Sequence, residues 1–143
     1  MANSNFPPQL VIAYQQAEYH VFDNNNSAFI LKVGQFSQPL TKLYEMFDCD
    51  NATFITAFNP NSRPLTIAQN QQRQQLLIQD ISNAACHFIH GAGRDPEGQW
   101  PAESSLLALG LDYSSSILLA EKFQQNAFLW CENNAIPELV WLI

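Results

Sequence analysis

Hydrophobic residues follow two different spacings along the chain, and these spacings predict where helices and strands lie. Behind Ser37, which can cap a helix, apolar residues return every three or four positions, as on the buried face of a helix. These residues are Leu40, Leu43, Tyr44 and Phe47. Between Ala52 and Phe58 the apolar residues are instead nearly continuous and stop at Asn59-Pro60, which is typical of a buried strand.

The same criteria applied to the whole chain predict the order α-β-β-α-β-α-β-β-α-β-β. The opening helix follows Pro7-Pro8, turn residues from Asp23 to Ser27 close the first hairpin, and Thr66 begins a longer helix that runs to about Ala85. Strands joined by short turns pair antiparallel, whereas the central helices could connect parallel strands. We therefore predict an α+β fold with a mixed, mainly antiparallel sheet and helices packed on it.

Length and charge narrow this prediction and exclude one class of partner. The 143 residues contain no linker-like stretch, so we predict a single globular domain spanning residues 1–143. Six basic residues against 13 acidic ones give a net charge of −7, which repels phosphate backbones and argues against nucleic-acid binding. This charge is compatible with a basic protein partner or with a small ligand.

Membrane and export signals are not found in the sequence. No apolar run reaches the roughly 18–20 residues that cross a bilayer. Met1 to Asn5 lack the charged and apolar regions of a signal peptide. Three cysteines, at positions 49, 86 and 131, form an odd and widely spaced set without a CxxC pair, which favours reduced thiols. We therefore expect a soluble cytoplasmic protein without membrane association.

The clearest polar signal lies where the buried strand ends and the next helix begins. Asn59 follows the strand, and Asn70 and Arg73 lie three residues apart on one face of the following helix. That face continues into apolar residues, so both side chains are expected at the rim of the buried stripe, where an anion or a carbonyl could be bound. The alternative is structural, with Arg73 paired to an acidic neighbour and Asn70 capping loop carbonyls.

A glycine-rich segment supplies a second candidate. We predict that a strand from Cys86 to His90 runs into a loop from Gly91 to Gly98, whose glycines permit close approach of a ligand. The segment lacks the third glycine of a dinucleotide fingerprint and the Gly-Lys-Ser/Thr element of a P-loop. Glu103 follows at a strand start and would act as a general acid or base if it is desolvated. Alternatively, Glu103 pairs with one of the arginines at positions 73 and 94.

The sequence gives little support for a metal site or for a catalytic nucleophile. Cys86 and His90 point to the same side of their strand, but two ligands are too few for a zinc site. Asp112 or Ser114 is expected to cap the helix that runs to Phe123, and Ser114 to Ser116 are typical capping residues with no histidine beside them. We therefore expect no metal and no cofactor. The amides between Phe123 and Ala127 either cap the preceding helix or, through Gln125, line a pocket.

Several of these segments together resemble one protein family. The matching residues are Tyr14 and Tyr19, Thr56 to Pro60, Asn70 with Arg73, Gly91 to Gly98, Glu103 with Ser104, and Phe123 to Ala127. These residues extend over nearly the whole chain, and their pattern resembles that of an uncharacterised bacterial family, domain of unknown function 3293. Gln124 stands where that family has glycine, so the tight turn there departs from its pattern. The resemblance names no activity, but it implies one shared polar site formed by Asn59, Asn70, Arg73, Glu103 and Gln125.

These observations lead to three hypotheses. In the first, a small anionic ligand of nucleotide type is bound or transformed in a polar pocket, where Arg73 binds the anion and Glu103 is the candidate catalytic residue. Amide side chains would orient its polar atoms, namely Asn59, Asn70 and Gln125. In the second, the chain is a non-enzymatic acidic interaction module, of inhibitor or immunity type, that covers a basic protein. In the third, the polar cluster is a buried structural network without a ligand.

Overall fold

The computed structural model describes residues 6–23 and 26–142. The signal-peptide expectation at Met1 to Asn5, the middle of the predicted hairpin turn at Asn24-Asn25, and the final Ile143 lie outside these ranges. Within them the predicted order of elements is confirmed, with one added 3-10 turn after the third strand. The elements are α1 Pro8–Gln16, β1 Glu18–Asp23, β2 Asn26–Leu31, α2 Gln38–Phe47, β3 Ala52–Ile55, the turn Pro60–Ser62, α3 Ile67–Asn83, β4 His87–Arg94, β5 Glu103–Leu109, α4 Tyr113–Lys122, β6 Ala127–Cys131 and β7 Pro137–Trp141.

The seven strands form one sheet in the order β2-β1-β4-β5-β3-β6-β7. Every neighbouring pair in it is antiparallel. The parallel crossovers that the sequence allowed are therefore not formed among the described strands. The α+β prediction is confirmed, since helices and an antiparallel sheet occupy separate layers. The hairpin of β4 and β5 brings β5 against β3, so the start of β5 lies beside the end of β3.

Helices cover both faces of this sheet because apolar side chains alternate along its central strands. On β3, Phe54 belongs to the apolar cluster that contains α2, and Ile55 belongs to the cluster that contains α3 and α4. The helix α2 contributes Leu40, which is fully buried on the first face. On the second face α3 contributes Leu77, which is also fully buried. The sheet is thus the middle layer of three, and β3, β5 and β6 contribute to both clusters.

Three helices begin at the capping residues that the sequence indicated. The side chain of Ser37 accepts a hydrogen bond from the backbone N–H of Leu40, at 3.2 Å. Thr66 forms a reciprocal capping box with Gln69 at the start of α3. Of the two caps proposed for α4, the structure uses Asp112, whose side chain accepts from the Ser115 N–H at 2.7 Å. These caps fix the entry of each helix by interactions within four residues.

The prediction of a loop from Gly91 to Gly98 is wrong for its first part, because β4 continues to Arg94 and includes Gly91 and Gly93. The reason is a close approach of two backbones. A Cβ atom on Gly91 would lie 2.3 Å from the carbonyl oxygen of His20 on β1 and 3.0 Å from the Phe54 ring. Glycine is needed here so that β1 can pair with β4, and the space it leaves is filled by the protein itself.

No helix among the described residues is both long and apolar enough to cross a bilayer.

Candidate functional site

The end of β3 is tied to the start of β5 by a side chain that also ends the strand. The hydroxyl of Thr56 donates to the Ser104 carbonyl at 2.6 Å and accepts from the Phe58 N–H at 3.1 Å. The second bond turns the chain out of the sheet directly after β3. As a result, Asn59 and Glu103, which are 44 residues apart in sequence, become neighbours.

Asn59 is the centre of the polar cluster that follows. Its Nδ2 donates to Oε2 of Glu103 at 2.7 Å. Its Oδ1 accepts from Asn70 Nδ2 at 2.8 Å and from the Leu65 N–H at 3.0 Å, while its own N–H donates to Asn70 Oδ1 at 2.9 Å. The residue adopts a left-handed backbone, with φ of 48°. The structure thus brings together three of the predicted site residues, Asn59, Asn70 and Glu103.

Arg73 lies beside this cluster and bonds to backbone carbonyls. Its Nε donates to the Ala57 carbonyl at 2.8 Å, and its Nη2 donates to the carbonyl of Phe123 at the end of α4. Its guanidinium also stands 5.8 Å from the centre of the Phe123 ring. Burial lowers the pKa of Arg73. Within the described ranges no carboxylate pairs with Arg73, so the acidic-neighbour alternative is not seen there.

Gln125 reaches the same carbonyl from the other side. This buried side chain donates through Nε2 to the Phe58 carbonyl at 3.0 Å and to the Phe123 carbonyl at 3.1 Å. Arg73 and Gln125 therefore meet at one oxygen, where the partial negative charge of a helix C-terminus favours a cation and hydrogen-bond donors. All five predicted site residues are thereby gathered around the turn that follows β3.

Gln74 is a buried member of the cluster that the sequence reasoning missed. Its Oε1 accepts from the Ala57 N–H at 3.0 Å, and its Nε2 has no hydrogen-bond partner among the described residues. The signal was available, because Gln74 follows Asn70 by four residues and precedes Leu77 by three, which places it on the buried face of α3. The surrounding run of glutamines had the composition of a solvated face and concealed it.

Glu103 is half-buried and is not part of an ion pair in the described parts of the chain. Arg94, one of its two expected partners, instead lies 5.8 Å from the centre of the Phe22 ring. Burial raises the pKa of Glu103, and the hydrogen bond from Asn59 opposes this rise. A carboxyl group with a raised pKa, held by a neutral amide, has the environment that general acids and bases use.

Two tyrosines, Tyr14 on α1 and Tyr19 on β1, lie near the same carboxylate. The hydroxyl of Tyr14 lies 3.3 Å from Oγ of Ser62, which also accepts from Asn126 Nδ2 at 2.8 Å. Tyr19, on β1, donates its hydroxyl proton to the Tyr14 carbonyl at 2.6 Å. Burial raises the pKa of Tyr14, and the negative charge of Glu103 raises it further. Ser62 was not singled out by the sequence reasoning, whereas Asn126 belongs to the run of amides between Phe123 and Ala127 for which a cap or a pocket was predicted.

An open cleft of about 420 Å³ adjoins this cluster. Its lining is formed by Phe6, Asn61, Glu121, Gln124, Gln125, Asn126 and Leu142. Four of these seven side chains are amides, and Glu121 is the charged one among them. Of the five predicted site residues, Gln125 belongs to this lining. Arg73 shares the Phe123 carbonyl with Gln125, and Asn59, Asn70, Arg73 and Glu103 are not part of the lining.

The thiol and imidazole groups do not converge. No group of three His, Cys, Asp or Glu side chains in the described ranges could hold a metal ion. All three cysteines are free thiols. Burial raises the pKa of Cys131 to about 12, which keeps this thiol protonated at neutral pH. Cys131 therefore acts as a core side chain rather than as a nucleophile.

With this geometry established, the comparisons with known proteins give one positive finding. A family described as protein of unknown function (DUF3293) matches residues 55–128, slightly more than half of the chain. The chain belongs to this family. The DUF3293 match begins at the end of β3 and ends within β6, so it contains all five predicted site residues, and it confirms the family resemblance. No curated protein and no solved structure matches the chain.

Proposed function

We propose that this DUF3293 protein binds a small anionic ligand of nucleotide type in the 420 Å³ cleft at the end of α4. One observation carries the proposal. Arg73 and Gln125 both bond to the Phe123 carbonyl, so a half-exposed guanidinium without a carboxylate partner in the described residues shares one oxygen with an amide that lines the cleft. A volume of this size is within the range of roughly 300–1,000 Å³ typical of small-molecule sites.

The charge distribution supports an anionic group near Arg73, which shares the Phe123 carbonyl with Gln125 of the lining. In a chain of net charge −7, a cation that is not neutralised by a neighbouring carboxylate is a local site of positive potential. An anion that takes up the free face of the guanidinium would form charge-assisted hydrogen bonds, which are roughly twice as strong as neutral ones. On this proposal Arg73 binds the anion, and Asn59 and Asn70 hold the turn that shapes the site.

Glu103 is the proposed acid or base if the ligand is also a substrate. Its carboxyl lies at the base of the turn, hydrogen-bonded to Asn59, and burial brings its pKa upward from its ordinary value. A carboxyl in this state exchanges a proton more readily near neutral pH than an exposed one.

A thermal-shift series with nucleoside 5′-monophosphates and the matching nucleosides tests the proposal. A ligand present at 100 times its dissociation constant adds about 2.7 kcal/mol to the unfolding free energy, which raises Tm by several degrees. We expect at least one monophosphate to raise Tm, and to raise it more than its nucleoside does. The outcome against the proposal is an unchanged Tm with all four monophosphates.

Two variants of Arg73 test whether its charge causes the preference for the monophosphate over the nucleoside. Arg73→Gln removes the charge, whereas Arg73→Lys keeps it, and both lose the paired bonds to Ala57 and Phe123, so both lower Tm without ligand. We expect the difference between monophosphate and nucleoside to disappear in Arg73→Gln and to persist in Arg73→Lys. An equal phosphate preference in both variants would show that the anion binds elsewhere.

The second candidate function is a non-enzymatic acidic module that covers a basic protein. It is favoured by the small number of ion pairs. Among the described residues only two carboxylates lie in ion pairs, Asp80 with Lys122 and Glu18 with His20. The remaining negative charge is available to a basic partner. On this candidate the nucleotide series produces no rise in Tm, so one experiment separates the two functions.

A further inference from the structure

Two amide residues of the cleft adopt backbone conformations that favour glycine. Asn61 has φ of 53° and ψ of 33°, and Gln124 has φ of 57°. In this left-handed region a side chain crowds the following carbonyl, at a cost that glycine does not have. Asparagine tolerates the region better than most residues, whereas glutamine has no such tolerance.

Gln124 lies at the first position beyond Phe123, the C-cap residue of α4. Its N–H donates to the Glu121 carbonyl at 3.1 Å, and the N–H of the next residue donates to Ala120 at 2.9 Å. This is the helix-ending arrangement in which glycine is the commonest residue. The carbonyl of Gln124 then accepts from the N–H of Asn61 at 2.6 Å, so the two strained positions lie side by side.

Neither side chain has a structural role in the described residues. Both are exposed, both line the cleft, and neither side-chain amide has a hydrogen-bond partner there. The neighbouring amides differ in this respect. Gln125 binds two backbone carbonyls and Asn126 binds Ser62, so their polar atoms are already occupied. Two positions that glycine would suit better for folding therefore carry free amides that face one cavity.

We propose that Asn61 and Gln124 form an amide pair that reads the hydrogen-bonding edge of a nucleobase. This inference rests on the proposed nucleotide site and names the part of the ligand that the cleft holds. Each amide presents one acceptor and a donor group, the pattern that matches the mixed donor and acceptor edges of bases. The ring of Phe6, which also lines the cleft and lies 4.9 Å from the Trp141 ring centre, supplies an aromatic surface on which a base can stack.

Charge places the base, rather than the phosphate, beside this pair. Glu121 is the charged side chain of the cleft lining, and it disfavours an anion there. Arg73 is a cation bonded to the Phe123 carbonyl, the same oxygen that Gln125 of the cleft lining binds. We therefore place the base between Phe6 and the amide pair and the phosphate toward Arg73. In this orientation the phosphate is kept away from the negative charge of Glu121 and lies near the positive charge of Arg73.

The test compares glycine substitutions at three left-handed positions. Asn61→Gly and Gln124→Gly remove the amides and relieve the backbone, and Ala85→Gly relieves an exposed left-handed residue outside the cleft lining, with φ of 55°. We expect each of the three to raise Tm without ligand by about 1–3 °C. Binding of the nucleoside 5′-monophosphates and nucleosides is then measured by isothermal titration calorimetry.

We expect Asn61→Gly and Gln124→Gly to weaken both nucleotide and nucleoside binding by about tenfold or more, since each removes a base contact. Ala85→Gly should leave both affinities unchanged. Gln124→Met, which keeps the side-chain length but has no amide, should weaken binding as Gln124→Gly does. Arg73→Gln, by contrast, should affect the nucleotide and not the nucleoside.

The outcomes distinguish failure of the amide pair alone from failure of the nucleotide site. Unchanged nucleotide binding in the Asn61→Gly, Gln124→Gly double variant would overturn the amide pair and leave the nucleotide site standing. Weakened nucleotide binding with unchanged nucleoside binding would also overturn it, because a base contact must affect both. If neither nucleotides nor nucleosides bind the wild-type protein, both proposals fail together.

Discussion

At the scale of single residues, Glu103 carries the clearest electrostatic consequence. Its carboxyl is half-buried at the start of β5 and accepts one hydrogen bond from Asn59 at 2.7 Å. Burial raises its pKa, so the folded state holds the proton more tightly than the unfolded state does. The resulting stability is fully present below the unfolded pKa and is lost as pH rises through the folded pKa. At neutral pH the ionised carboxylate therefore lowers the free energy of unfolding.

Glu103→Gln should consequently stabilise the protein at neutral pH. The variant removes the buried charge and keeps an oxygen that can accept from Asn59. We expect its Tm to exceed that of the wild type at pH 7 and the difference to vanish toward pH 4, where the wild-type carboxyl is protonated. Thermal unfolding of both proteins between pH 4 and pH 8 measures this. An exposed control, Glu132→Gln, should show no such convergence, and a constant difference for Glu103→Gln would contradict the assignment.

At the residue level the sequence indicated which side chains share a face, but not which groups they bond to. Spacing on α3 placed Asn70 and Arg73 on one face, which is a property of the helix alone. The groups they bond to come from Asn59, Ala57 and Phe123, the last of which is 50 residues away from Arg73. All three bonds use backbone atoms of these partners, which every residue has, so no side-chain pattern could identify them.

At the scale of secondary-structure elements, the pairing of β1 with β4 depends on one glycine. Gly91 lies opposite Val21 in this pairing, and a Cβ atom on it would overlap the His20 carbonyl at 2.3 Å. Backbone atoms of a paired strand cannot move aside without breaking ladder hydrogen bonds. Position 91 of β4 thus tolerates no side chain.

Gly91→Ala should therefore destabilise the sheet, by about 1–3 kcal/mol as for other overpacked sites. Gly93→Ala is the matched control, because it lies two residues along β4 on the same face and its Cβ would meet nothing closer than the Tyr19 ring at 4.0 Å. Urea unfolding of both variants checks the difference. Equal effects of the two substitutions would show that the β1–β4 contact is not the cause.

The elements themselves could be predicted wherever their signals are local. The caps Ser37, Thr66 and Asp112 act within four residues, and the helices begin where these residues indicated. The extension of β4 through Gly91 and Gly93 could not be predicted, because glycine is more common in loops than in strands. Its place in β4 is decided by β1, which precedes it by about 70 residues.

At the scale of the whole molecule, the two apolar clusters on opposite faces share the strands β3, β5 and β6. Leu107 and Leu109 of β5 belong to the α2 side, and Leu106 and Ala108 belong to the side of α3 and α4. Loss of packing on one face therefore loosens strands that the other face needs. This coupling is the structural basis for the expectation of one cooperative domain over the chain.

Leu40→Ala and Leu77→Ala test that expectation from the two faces. Both side chains are fully buried, and such truncations typically lower the free energy of unfolding by about 2–5 kcal/mol. We expect each variant to unfold in one transition that coincides by circular dichroism and tryptophan fluorescence. Two separate transitions in either variant would show that the two layers unfold independently.

The sequence by itself determined the elements, their order, the caps, the family and the residue types of the site. These depend on spacing and on contacts within a few positions, which the chain carries wherever it folds. The tertiary structure alone decided the antiparallel order of the strands, the bond between Asn59 and Glu103, and the convergence of Arg73 and Gln125 on one carbonyl. It also decided that Asn61 and Gln124 face one cleft, because that depends on backbone segments more than 60 residues apart meeting at the end of α4.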